Sequence, residues 1–165
     1  MDISPHSKIS HHLDKSYFYD CYTRDVKPND RTALDIYLEL MQNTPSWVNR
    51  LMRLRNAIVS KLGLKDLGTL SNFENANANN HYKVGDRLGI FSIYSLSDEE
   101  IILEDNDKHL NVKVSFYLEP RDVATQITLQ TSTVVHVKNW FGKLYMFFVM
   151  PVHKIIVPSV INKLS

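Results

Sequence analysis

Hydrophobic and polar positions change their period twice along the chain. Residues 17–26 form a short aromatic run (Tyr17, Phe18, Tyr19, Tyr22) that predicts a first strand. A helical period then takes over, with Ala33, Leu34, Tyr37, Leu38 and Met41 on one stripe, Asn29-Asp30 as the N-cap and an end near Asn43. Thr44 as N-cap and Pro45 in the first turn open a second helix, whose stripe is Trp47, Leu51, Leu54, Ile58 and Leu62 and whose stop is Gly63. Between 66 and 85 the chain is rich in Asn, including Glu-Asn-Ala-Asn-Ala-Asn-Asn at 74–80, and a long loop is expected.

A period of two follows. Strands are predicted at 88–96 and 100–104 around the turn Ser97-Asp98-Glu99. After the turn at 105–108, Leu110, Val112, Val114, Phe116 and Leu118 alternate with other residues through 109–119. Pro120-Arg121-Asp122 turns into 124–137, with Ile127, Leu129, Val135 and Val137 on one face. Consecutive strands joined by short turns make an antiparallel meander with one face buried and one wet. Asn139-Trp140-Phe141-Gly142 then opens a final helix running to about Asn162, in which Phe141, Tyr145 and Phe148 share a face and Phe147 points elsewhere. Its apolar run at 144–152 is nine residues, short of the ~20 a bilayer span requires, and Pro151, His153, Lys154 and Pro158 break it up. A buried core helix is the expectation.

The predicted order gives an α+β helix-grip fold, a curved antiparallel sheet around a long C-terminal helix. One helix cannot fill a curved sheet, so this layout leaves room for a ligand. Residues 1–15 are polar, with His6, His11 and His12, and read as a disordered N-terminal tail; residues 16–165 read as a single helix-grip domain. A chain of 165 residues with 44% apolar and 22% charged residues has enough material for a core without disulfides.

A net charge of +1 excludes a strong global field, and nucleic acid is not an expected partner. The charge is nonetheless uneven. No acid lies between Glu39 and Asp66 or after Asp122, whereas Arg50, Arg53, Arg55, Lys138, Lys143, Lys154 and Lys163 do. Cys21 is the sole cysteine, which forbids an intramolecular disulfide and fits a reducing compartment. Residues 1–6 lack the basic start and apolar core of a signal peptide, so a cytoplasmic location is expected.

Candidate chemistry is sparse. No His or Cys spacing typical of a metal site occurs, and the five glycines form no phosphate loop, so neither metal nor cofactor is expected. Cys21 has no His or Asn beside it and no Gly-x-Ser-x-Gly elbow exists, so no catalytic residue is assigned. His109 opens a strand behind an acidic turn, where Asp105 or Asp107 could pair with its ring; it is either a polar anchor at a pocket mouth or a residue that orders the hairpin.

Three stretches carry a resemblance to a known family: Pro45-Ser46-Trp47 with Leu51-Met52-Arg53-Leu54-Arg55-Asn56 and Leu62-Gly63-Leu64; Asp107 through Ser115; and Thr133 through Tyr145, continuing to Pro151-Val152-His153. The chain resembles the bacterial family called domain of unknown function 2867, placed among the START-like, Bet v 1-like (SRPBCC) helix-grip proteins. The family pattern has an acid where Asn56 stands and His where Lys138 stands. The resemblance implies the helix-grip fold and a hydrophobic ligand, and it brings no reaction.

The expected function is non-covalent binding of a small hydrophobic molecule or lipid between sheet and C-terminal helix, at a site of Trp47, Arg55, His109, Phe116, Leu129, Tyr145 and Phe148. The alternative is a peripheral membrane or protein-partner module, a homodimer among the forms considered, acting through the basic second helix and the C-terminal helix. A cyclase- or dehydratase-like enzyme ranks third.

Overall fold

A computed structural model describes residues 2–27, 30–60, 82–120 and 127–164, with side chains described throughout except at Arg55 and 57–60. The elements in chain order are a 3-10 turn (Lys8–His12), β1 (Phe18–Val26), α1 (Ala33–Gln42), α2 (Ser46–Ser60), β2 (Arg87–Leu88), β3 (Phe91–Leu96), β4 (Glu100–Asn106), β5 (Leu110–Pro120), β6 (Ile127–Val137) and α3 (Trp140–Ile161). The protein is α+β, with a six-stranded antiparallel sheet in the order β1-β6-β5-β4-β3-β2 and a C-terminal helix. The first strand, made early in the chain, thus closes the β6 side of the later meander. Of the Asn-rich loop expected at 66–85, residues 66–81 lie outside the described residues.

Local chemistry places the helices slightly differently from the expected caps. The N-cap of α1 is Thr32, not Asn29-Asp30: the Asp35 N–H donates to Thr32 Oγ1 (3.2 Å) while the Thr32 N–H donates to Asp35 Oδ2 (2.9 Å). This reciprocal pair satisfies two N–H groups that a bare helix end leaves open. Thr44 does not cap α2. Its hydroxyl donates back to the Leu40 carbonyl of α1 (3.1 Å), and α2 starts at Ser46. The turn of the stripe shifts with it: among the described side chains of this helix Val48 is fully buried, while Trp47 and Leu54 are exposed. The expectation that Trp47 points inward is therefore overturned.

Side chains alternate between two faces of the sheet, apart from a register shift between Ile93 and Ser95 in the β3–β4 pair. On one face, Ile36, Tyr37 and Leu40 of α1 pack on Ile101, Leu103, Phe116 and Leu129. The Tyr37 ring lies 5.3 Å from that of Phe116, its hydroxyl donates to the Leu88 carbonyl (3.3 Å), and burial pushes its pKa well above the ordinary phenol value. The long helix α3 lies on the same face, over β1 and β6.

The opposite face is covered by the N-terminal residues expected to be a disordered tail. Ile9 is completely buried, and with Ile3 it packs on Cys21, Ile102 and Val134. Polar partners hold the segment down. Buried Glu100 accepts from Ser7 Oγ (2.6 Å), the Lys8 N–H (2.8 Å) and Ser115 Oγ (2.6 Å). Ser4 donates through its N–H to Gln130 Oε1 (2.9 Å) and through its hydroxyl to Glu119 Oε1 (2.6 Å). Beyond them His12 meets the Tyr94 ring edge-on, and Lys113 sits over the same ring while pairing with Glu104 (2.5 Å). The tail reading fails because its few apolar residues are too sparse to show a period, yet each finds a partner on a sheet face that pure alternation would have left wet.

Two predictions test this clamp. Glu100→Ala leaves two buried hydroxyls and one part-buried backbone N–H without their acceptor, and the loss should be about 2–3 kcal/mol, read by chemical unfolding, with residues 2–12 becoming susceptible to limited proteolysis. Acid should loosen the clamp as well. Burial and then Lys113 lower the pKa of His12 from its ordinary 6.5. Burial alone would raise that of Glu104 from 4.5, but hydrogen bonds from Lys113 and Asn111 outweigh it and the net shift is downward. Both folded values lie below the unfolded ones, so the unfolded chain binds more protons and stability is lost as pH falls. The loss should begin below 6.5 through His12 and continue below 4.5 through Glu104, measured as the unfolding midpoint against pH.

Candidate functional site: a polar belt beneath the C-terminal helix

The middle of β6 reads Gln130-Thr131-Ser132-Thr133, and all four are buried. Alternation sends Thr131 and Thr133 to the α3 face. Register then fixes their neighbours: Thr133 stands opposite Asp20 of β1, and Thr131 opposite Tyr22 of β1 and Phe116 of β5. The result is a polar belt running across the sheet between two apolar patches. On one side lies the cluster with Phe116 and Leu129 under α1; on the other lie Leu110, Val135 and Met146, with Phe18, Tyr145 and Met150 packed against them.

His153 of α3 drops onto this belt. Its Nε2 is 3.2 Å from Thr133 Oγ1 and 3.3 Å from Asp20 Oδ2, and its ring meets Phe18 edge-on. The Asp20 contact is an ion-pair distance without hydrogen-bond alignment, and both Asp20 carboxylate oxygens and Thr131 Oγ1 are enclosed with no well-formed hydrogen bond. The Tyr22 phenol next to them has a raised pKa, from burial first and then from the Asp20 carboxylate, which acts through its charge and as a side-chain hydrogen-bond partner. The belt thus gathers a carboxylate, a phenol, an imidazole and two hydroxyls beneath an apolar helix.

The same geometry argues against nucleophilic catalysis at the belt. In a working Thr-His-Asp relay the acid orients one ring nitrogen while the other takes the hydroxyl proton. Here one nitrogen, Nε2, faces both Asp20 and Thr133. Cys21, on the opposite face, is buried and its thiol pKa is raised chiefly by that burial, which makes it a poor nucleophile. Among the described residues no group of three or more His, Cys, Asp or Glu gathers as a metal site.

The seven residues expected to line a site separate in the structure. Phe116, Leu129 and Tyr145 flank the belt, the first two buried on the α1 side and the third half-buried on the other. Phe148 does not join them: it is 64% exposed and makes an edge contact with Phe147 on the outer side of α3. Trp47 is on the surface of α2, and the side chain of Arg55 lies outside the described residues. His109 docks the first turn of α3. Its ring lies 4.9 Å from Phe141, and its Nδ1 is 3.0 Å from Asn139 Oδ1. The Asn139 amide is oriented by Nδ2 donating to the Lys108 carbonyl (3.1 Å), so Oδ1 is the acceptor and His109 Nδ1 carries the proton. Asp107, one of the two acids that could have paired with the ring, turns to the backbone: its Oδ1 accepts the N–H groups of His109 (2.6 Å) and Leu110 (2.8 Å). Against the carbonyl of His109 stands Gly142, where an added Cβ would lie 2.6 Å from that oxygen.

Asp20, Tyr22, Thr131 and Thr133 were not anticipated. Their sequence signal is the Gln-Thr-Ser-Thr run inside an otherwise aliphatic central strand, which has no reason to be polar on a face meant for packing.

A family model described as protein of unknown function (DUF2867) matches residues 12–160. The chain belongs to that family. No curated protein and no solved structure matches it.

Truncating two aromatic or aliphatic side chains should separate the core from the exposed face. Leu129→Ala removes a fully buried side chain and should cost about 2–5 kcal/mol, whereas Phe148→Ala should change stability by no more than about 0.5 kcal/mol. Equilibrium denaturation of both variants measures the contrast.

Proposed function

We propose that this family member binds a small, largely apolar molecule carrying a hydrogen-bond donor, held non-covalently between α3 and the sheet. The observation that carries the reading is the Asp20 carboxylate, enclosed in the floor beneath an apolar helix beside the His153 imidazole and the Tyr22 phenol. A carboxylate accepts and does not donate, so the group it calls for is a hydroxyl or amine. Thr131, Thr133 and His153 supply neighbouring polar atoms along the belt. The apolar remainder of such a molecule would lie against Phe116 and Leu129 on one side or Tyr145 and Met146 on the other. An α+β layout with α3 laid over β1 and β6 is compatible with a helix-grip fold, in which a ligand between sheet and C-terminal helix would be expected. On this reading Asp20 would set the head-group preference.

The test is a comparison of two fluorescent lipophiles of equal chain length, a dansylated alkylamine and a dansylated fatty acid. The amine should bind and the acid should not. Asp20→Asn should weaken the amine by about tenfold or more, the scale of one hydrogen bond to a charged group, while leaving the unfolding midpoint within a few degrees of the wild type. Equal binding of both probes, or none by either, overturns the proposal.

A further inference from the structure

Helix α3 has a second face that the belt does not use. Trp140 is 72% exposed, Phe147 67% and Ile155 62%, and Leu144, Phe148 and Val152 are exposed with them. At helical spacing these positions form one stripe about 22 Å long. A stripe of this size on a water-facing helix marks an interaction surface. Sequence reasoning expected a buried core helix; only 17% of its apolar window is buried, and the whole 22-residue helix is long and apolar enough to cross a membrane.

We propose that this outer face docks α3 flat on an anionic lipid surface. Charge decides the occupant. Lys143 and Lys154 are exposed on one rim of the stripe, and neither the helix nor the chain beyond Asp122 holds an acid. A second copy of the chain would bring two more lysines and no counter-charge from its own stripe, whereas anionic lipid supplies the complement along the whole rim. Trp140 at one end and the paired rings of Phe147 and Phe148 in the middle are the side chains that settle best at a headgroup boundary. The inner face keeps the helix in the plane. Gly142 fits against the His109 carbonyl, Met146, Val160 and Ile161 are buried, and His153 meets Thr133 and Asp20, so a crossing helix would have to abandon all of them. The proposal goes beyond the ligand reading and does not depend on it, since the two use opposite faces of α3.

The experiment is vesicle flotation of the full chain with phosphatidylcholine alone and with about 30% phosphatidylserine added. Wild type should float with the anionic vesicles and largely stay behind with the neutral ones. Phe147→Asp/Phe148→Asp should lose at least tenfold in partitioning with an unchanged circular dichroism spectrum. Lys143→Glu/Lys154→Glu should lose a similar factor, and about 0.5 M salt should mimic that loss in the wild type. In a Trp47→Phe background, the emission of Trp140 should shift to the blue on binding and be quenched by lipids brominated near the headgroup. Failure of the wild type to float overturns docking. Quenching of Trp140 only by lipids brominated deep in the chain overturns the flat orientation. Dimerisation in light scattering that the Phe pair abolishes, without flotation, assigns the face to a second copy. Failure of dansylamine uptake with flotation intact counts against the ligand site and leaves the docking face standing.

Discussion

The pairing of β5 with β6 is unbroken from Leu110 opposite Val137 to Pro120 opposite Ile127, and every other layer depends on that register. Because side chains alternate, a slip of one residue would turn Thr131 and Thr133 away from α3 and bring Ser132 and Val134 under it. The apolar residues that receive α1 (Phe116, Leu118, Leu129) and those that receive Ile3 and Ile9 (Ile102, Val134) are consequences of the same parity. So is the position of Glu100, which faces the N-terminal segment while its neighbour Ile101 faces α1.

Most of the elements were legible because their periods are local. The alternation of 109–119 and the helical stripe of 33–41 can be read within a dozen residues, and Asn139 announces itself as a cap directly before an apolar run, where it accepts the Gly142 N–H (3.1 Å). What was not legible depends on residues far apart. The N-terminal clamp joins Ser7 to Glu100 and Ser4 to Gln130, and no window of sequence contains either pair. The belt draws Asp20, Thr133 and His153 from three elements, and only the Gln-Thr-Ser-Thr run hinted at it. Trp47 failed for a different reason: both Trp47 and Val48 are apolar, and the stripe alone does not fix which of two adjacent residues faces in.

Helix α3 meets two conflicting demands. An apolar helix needs cover on more than one side, and a sheet offers one layer. Its inner face is occupied by Met146, Val160 and Ile161 and interrupted by the polar contact of His153, while the outer stripe remains open to solvent. A core helix would show the reverse distribution, with its largest aromatics inward. Here Trp140, Phe147 and Phe148 all point outward, and the inward positions go to Gly142 and Met146.

The clamp at the N-terminus also bears on the order in which the molecule assembles. Residues 3–9 are synthesised long before the strands that receive them, and Ser4 is separated from Gln130 by 126 positions. Closing contacts of that span costs chain entropy that only a formed sheet returns. Until β4, β5 and β6 have emerged from the ribosome and paired, Ile9 has nowhere to dock. Residues 3–9 thus settle only after the strands that receive them, and the face of the sheet around Ile102 and Val134 stays open to other contacts in the interval.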